Sequence, residues 1–285
     1  MAGEDEQPLV DAQLEQRVLS LKRRFLAMYK RAHAGHVGSS LSCAEILILL
    51  QHAWMRDDDR FVLSKGHAAA ALYALLAEVN AIDPRELDSF YAEGTRLPAL
   101  PPVNAIDEIP FATGSLGHGL SLSAGMALGA ILNRRDRRLF CLTSDGELDE
   151  GSTWEAALFI AHRRLTNVVW LIDRNRIQGI GRTEDVLALE PLDAKLEAFG
   201  FHVVSADGHD FGSLLAARDA CTRALEERGR PVVVIANTVK GNGLRDMQDT
   251  VASHYLPMDD AQYERALDEL STSPTPAAAG PRHAR

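Results

Sequence analysis

The feature that most restricts this chain is an alternation in its second half. Four short apolar runs, at 138–143, 167–172, 201–206 and 231–237, are separated by stretches of helical spacing such as 152–164 and 211–227. The runs have strand length and are apolar through most of their positions rather than at every other one. Neither face of their sheet therefore meets water. Such strands alternate with helices that cover both faces, which predicts a three-layer α/β domain with a mostly parallel sheet. In sheets of this kind ligands bind beyond the C-terminal ends of the strands.

The first half reads as helical. Leu14, Val18, Leu21, Phe25 and Met28 recur at steps of three and four, so a helix is expected over 11–33. A second is expected to open at Ser42, with Glu45 completing a capping box. A third is expected at Asp83, with Pro84 at its first position and Glu86 closing the box. Another follows the Gly-rich run 114–119, and Ser152 with Glu155 can cap the helix that runs to about 164. Residues 1–10 read as a loose tail and 271–285 as a disordered one, leaving 11–270 as a single domain.

Charge and composition exclude several functions. A net charge of −10 argues against a nucleic-acid partner, whose binding face is normally basic. No run approaches the roughly 20 apolar residues needed to cross a bilayer. The acidic first residues are not a signal peptide. Cys43, Cys141 and Cys221 are scattered in no metal or disulfide spacing, as expected of a cytoplasmic protein.

Two polar motifs sit at consecutive strand ends. The run 138–143 leads into Ser144-Asp145-Gly146-Glu147, and 167–172 leads into Asp173-Arg174-Asn175-Arg176-Ile177. One right-handed crossover makes those ends neighbours, although Asp145 and Asn175 stand 30 positions apart. A carboxylate, an amide oxygen and a nearby backbone carbonyl are hard oxygen ligands that suit Mg²⁺, with phosphate and water filling its other positions. Gly146 lets the backbone approach a diphosphate.

This pattern resembles the thiamine diphosphate signature, and the fuller stretch from Ser144 onward resembles the N-terminal region of transketolases. Three further segments carry the same resemblance: Ala34-Gly35-His36-Val37-Gly38, the run 60–67 ending in Ser64-Lys65-Gly66-His67, and Thr113-Gly114-Ser115-Leu116-Gly117-His118-Gly119. The resemblance covers residues from about 14 to 270. It implies a thiamine-diphosphate-binding fold, with thiamine diphosphate and Mg²⁺ as cofactors. Asp145, Asn175 and the Ile177 carbonyl match the metal ligands. Gly146 and His67 match positions at the diphosphate, Gly114 and Leu116 match positions that line the aminopyrimidine, and Ser115, Glu147, Lys240 and His254 are expected with them as cofactor-binding residues. Lys240 belongs to the loop over the cofactor. His36, His67 and His254 match the catalytic histidines, and Glu150 and Glu155 match acidic positions near a dimer interface. Of the other histidines, His118 stands in the Gly-rich run, His209 reads as a loop former, and His33, His52, His162 and His202 as structural.

The implied reaction transfers a two-carbon ketol unit from a ketose-type donor to an aldehyde-type acceptor through a thiamine diphosphate adduct. The family's second, pyrimidine-binding domain is not present in the 285 residues. The resemblance therefore implies the N-terminal subunit of a split transketolase, working in an α2β2 heterotetramer with a separate C-terminal subunit. Two departures stand out. Ser144 replaces the first glycine of the signature. In Leu97-Pro98-Ala99-Leu100-Pro101, Leu100 replaces the family's donor-binding histidine, so a specialised donor or acceptor is expected in place of the standard pentose-phosphate donors. The alternatives are the α subunit of a thiamine-diphosphate-dependent 2-oxoacid decarboxylase or dehydrogenase, and a non-catalytic cofactor-binding scaffold.

Overall fold

In the computed structural model, which describes residues 7–272, the alternating half folds as its pattern requires. Helix α1 spans Gln7–Ala32 and so begins inside the stretch expected to be a loose tail. Its periodic residues Leu14, Val18, Leu21, Phe25 and Met28 are all buried. Residues 1–6, and 273–285 of the expected disordered tail, lie outside the described residues. Two short helices follow, α2 (Val37–Ser42) and α3 (Ala44–Leu49). The capping box expected at Ser42 and Glu45 does not form, because both side chains are claimed from afar. Ser42 Oγ donates to Asp173 Oδ2 at 2.6 Å, and Glu45 accepts from Lys22 Nζ at 2.8 Å.

Strand β1 (Arg60–Leu63) is one the apolar pattern does not flag. After it come α4 (Ala69–Glu78) and a 3₁₀ turn at Pro84–Ser89, where the expected Asp83–Glu86 box is present. Next are α5 (Gly119–Leu132), β2 (Leu139–Ser144), α6 (Gly151–His162) and β3 (Val168–Arg174). Ser152 does not cap α6; its hydroxyl donates to the Gly117 carbonyl at 2.9 Å and fastens the Gly-rich run instead. A small ribbon, β4 (Ile177–Gln178) with β5 (Gly181–Arg182), precedes α7 (Thr183–Val186) and α8 (Leu192–Phe199). The chain continues as β6 (His202–Asp207), α9 (Phe211–Arg228), β7 (Val232–Asn237), α10 (Ala252–Tyr255) and α11 (Asp260–Thr272).

The main sheet has five parallel strands in the order β1-β2-β3-β7-β6. Alternate residues face opposite layers, as the pleat demands. Phe140, Leu142, Val169, Leu171, Val232 and Val234 pack with α1, α3, α4 and α9. Cys141, Val168, Trp170, Ile172, Val233 and Ile235 pack with α5, α6 and α8. Each such side chain contributes about 1.5–3 kcal/mol by leaving water. The three cysteines are free and buried. No helix among the described residues is long and apolar enough to cross a membrane. Because all five strands run one way, their C-terminal ends share one edge, and the polar motifs gather there.

Candidate active site

Strands β2 and β3 are in register with Ser144 opposite Asp173, so the residues just beyond, Asp145 and Asn175, come together. Asp145 Oδ1 accepts from the Gly146 amide at 2.9 Å. Its Oδ2 accepts from the Arg176 amide at 2.6 Å and from Thr183 Oγ1 at 3.2 Å. Asn175 Oδ1 accepts from the Ile177 amide at 3.1 Å, and the Ile177 carbonyl accepts from Lys240 Nζ at 2.9 Å. Burial, and then the like charge of Asp173, pushes the Asp145 carboxyl up to about 6. Asp145, Asn175 and the Ile177 carbonyl are hard oxygens of the kind Mg²⁺ takes, joined through the Arg176 and Ile177 amides.

On the other side of Lys240 three imidazoles meet. Ring centroids lie 5.0 Å apart for His36 and His254, 5.4 Å for His67 and His254, and 5.6 Å for His36 and His67. Lys240 Nζ donates to His254 Nδ1 at 2.7 Å. His36 adopts φ +73° and its amide donates to the His254 carbonyl at 3.0 Å. Gly35 makes this approach possible, because a Cβ there would run into the Tyr255 carbonyl. Burial, then the Lys240 charge, pushes His254 down to about 3 and holds His36 below its ordinary value. Burial, then the Lys65 and Lys240 charges, holds His67 well below its own. Burial, then the Lys65 charge, lowers Lys240 to about 8. Burial thus favours the neutral form of all three imidazoles, and with Nδ1 of His254 taken by Lys240 that ring presents its Nε2–H to bond a hydroxyl.

A buried ion pair lies under both groups. Lys65 and Asp173 are each 0% exposed and bonded to one another. Asp173 also takes hydrogen bonds from Ser42 and Thr238, while Lys65 donates to the Ser39 carbonyl at 2.9 Å. Sequence reasoning gave neither a role, although Lys65 lies directly before the Gly66-His67 pair. Glu147, expected among the cofactor-binding residues, turns inward. It is 0% exposed and accepts from Ser64 Oγ and, at 2.9 Å, from the Gly117 amide. It thereby ties the end of β1 to the Gly-rich run.

In that run Gly114 has φ +137°, and a Cβ on it would lie 2.6 Å from Leu100 Cδ1. Leu100 therefore covers Gly114, while Gly66, next to His67, packs on Thr113 and Gly114 from the other side. Leu100, Gly114, Ser115 and His118 line an open cavity of about 540 Å³. Ser115 and Leu116 present their carbonyls to His118 Nδ1, both at 3.1 Å. Tyr73 Oη holds the Leu100 loop by donating to the Pro98 carbonyl at 3.0 Å. Glu150 and Glu155 are exposed at the start of α6. His209, read as a loop former, does stand in a turn, and its ring is also bonded to Glu45 and Val239.

Comparison with known proteins shows the family. Residues 15–282 match the family model described as transketolase, thiamine diphosphate binding domain. A 6-deoxy-6-sulfo-D-fructose transketolase subunit from Clostridium sp. (strain MSTE9) is 38% identical over 245 residues, covering 83% of this chain and 88% of that one. An apulose-4-phosphate transketolase subunit from Actinobacillus succinogenes is 35% identical over 268 residues, covering 90% of this chain and 96% of that one. The solved transketolase of Campylobacter jejuni superposes with a TM-score of 0.83 at 27% identity, over 91% of this chain. This chain spans 43% of that protein's length.

Proposed function

This chain belongs to the transketolase family, as its thiamine diphosphate binding domain, and on that premise we propose how it works. It is one subunit of a transketolase-like transferase that moves a two-carbon ketol unit from a ketose-type donor to an aldehyde-type acceptor. A separate pyrimidine-binding subunit completes the site, and the assembly holds two copies of each chain with sites between chains, as two-fold symmetry favours. The two relatives described as subunits, which this chain matches over 88% and 96% of their lengths, support a partner.

Asp145, Asn175 and the Ile177 carbonyl would hold Mg²⁺, with Gly146 beside the diphosphate. Gly114, Ser115 and Leu116 would line the aminopyrimidine. Thiamine diphosphate, when bound, supplies the acidic carbon that acts as nucleophile and electron sink. The chain's own contribution is binding and proton handling. Lys240 adds positive charge at the Ile177 carbonyl and orients His254 through Nδ1, leaving Nε2 of that ring for substrate. His36 and His67, held neutral, bond donor hydroxyls and move protons between them. The observation that carries the reading is the meeting of three imidazoles within 5.6 Å of one another beside the oxygen donor set, with Lys240 touching both.

The donor is a specialised ketose. Leu100 over Gly114 offers no hydrogen bond to a sugar hydroxyl, and a site built on paired hydroxyls changes preference when one pair is lost. The relatives named for 6-deoxy-6-sulfo-D-fructose and apulose-4-phosphate support this. The test is transfer of a ¹³C label from C1 and C2 of ketose donors to an aldehyde, with the chain, a pyrimidine-binding subunit, thiamine diphosphate and Mg²⁺ present together. Label in a product two carbons longer than the acceptor is expected. Pyruvate consumption without any ketose transfer would overturn the reading in favour of a 2-oxoacid enzyme.

A further inference from the structure

A buried polar network below the site takes no direct part in this reaction. Lys22 and Glu45 are 4% and 6% exposed and paired, Nζ to Oε1 at 2.8 Å. The other Glu45 oxygen lies 3.1 Å from Nδ1 of His209. On the opposite side of that ring, Nε2 lies 2.8 Å from the backbone nitrogen of Val239. A backbone amide only donates, so Nε2 carries the lone pair and the ring proton sits on Nδ1, aimed at Glu45. The Asn242 Nδ2 lies 3.0 Å from Nδ1 and 3.5 Å from Glu45 Oε1; with the ring proton on Nδ1 it donates to Glu45 and makes no hydrogen bond to the ring.

Val239 sits between two residues that reach the site. Thr238 donates to Asp173, and Lys240 donates to the Ile177 carbonyl and to His254 Nδ1. The segment leaving β7 is thus gripped by Asp173 on one flank and His209 on the other, and Lys240 projects from the gripped part. A histidine suits the task because one rigid ring offers an acceptor and a donor on opposite sides. Through them it joins α3 to the residues after β7.

We propose that His209 is a positioning residue. In its Nδ1–H tautomer, clamped between Glu45 and the Val239 amide, it fixes the segment from which Lys240 reaches the Ile177 carbonyl and His254. It touches neither cofactor nor substrate. The inference rests on the reading that Lys240 and His254 serve the cofactor, but its structural core can be read without any cofactor.

The experiment uses the full chain labelled with ¹⁵N-histidine at neutral pH. His209 is expected to give a pyrrole-type Nδ1 and a pyridine-type Nε2 signal. His209→Asn keeps a donor for Glu45 but places no acceptor at Val239. It is expected to displace the His254 signals through Lys240. It should also weaken thiamine diphosphate binding with Mg²⁺ about tenfold, the size of one lost hydrogen bond. His209→Gln, whose Oε1 reaches the region of Nε2, is expected to restore the His254 signals, with similar unfolding midpoints for both variants. An Nε2–H tautomer at His209, unmoved His254 signals in His209→Asn, or equal displacement in both variants would each overturn the proposal. A wild-type chain that binds no cofactor even with a pyrimidine-binding subunit present would instead overturn the functional reading, and the His254 signals would still decide this one.

Discussion

Replacing Asp173 by alanine should destabilise the chain severely. Asp173 and Lys65 are both 0% exposed, so no solvent can take over the role of the missing carboxylate. Burial alone would raise the Asp173 carboxyl, but the Lys65 ammonium and the Ser42 and Thr238 hydroxyls outweigh it and hold it below its ordinary value. The alanine variant leaves Lys65 as an uncompensated buried cation beside two hydroxyls without their acceptor. Breaking such a pair costs about 3–5 kcal/mol, whereas replacing both partners by apolar groups is much cheaper. At about 2–3 °C per kcal/mol for a chain of this size, the midpoint should fall by roughly 6–15 °C. The double variant Lys65→Met with Asp173→Leu should recover at least half of that loss. The recovery is partial because Ser42, Thr238 and the Ser39 carbonyl still lose a partner. Urea and thermal unfolding of the three proteins is the assay. A loss below about 1 kcal/mol in Asp173→Ala, or no recovery in the double variant, would refute the reasoning.

Other consequences are as concrete. His36, His67 and His254 are held below their ordinary value chiefly by burial, so the unfolded chain binds these protons at higher pH than the folded one. The stability they permit is present above about pH 6.5 and is lost as pH falls toward the folded values. Urea midpoints from pH 7.5 to 5 should therefore fall more steeply for the wild type than for His36→Asn with His254→Asn; parallel profiles would contradict this. Leu100→His should improve kcat/KM for ordinary ketose phosphates relative to the native donor, and an unchanged donor preference would count against the role given to Leu100. Gly114→Ala places a methyl group 2.6 Å from Leu100 Cδ1 at φ +137°. It should cost about 1–3 kcal/mol in unfolding free energy, and Leu100→Ala should relieve the contact but not the backbone part.

Much of this architecture was legible because it depends on local pattern. The strands β2, β3 and β7 read clearly since both their faces are buried, and the Asp145 and Asn175 ends follow from one crossover. Strand β1 was not, being four residues long and opening with Arg60. The cap expected at Ser42 failed for a related reason: its hydroxyl serves Asp173, 131 positions away. Ser152 likewise serves Gly117. Sequence spacing shows that a hydroxyl can cap a helix, but not that a distant partner takes it first. His209 is the strongest case. Its neighbours Asp207, Gly208 and Asp210 look like a turn, and its backbone does form one. Its ring, however, is fixed by Glu45, 164 positions earlier, and by the Val239 amide. Lys240 drew notice only through the resemblance of 238–243 to a family loop, while its bonds to Ile177 and His254 required the folded chain.

The most direct test of the central claim is calorimetric titration of thiamine diphosphate with Mg²⁺ into this chain, alone and mixed with a pyrimidine-binding subunit. The account expects tight, Mg²⁺-dependent binding in the mixture that disappears in Asp145→Ala. Absence of binding in both samples would contradict it, leaving a family fold without the family's chemistry.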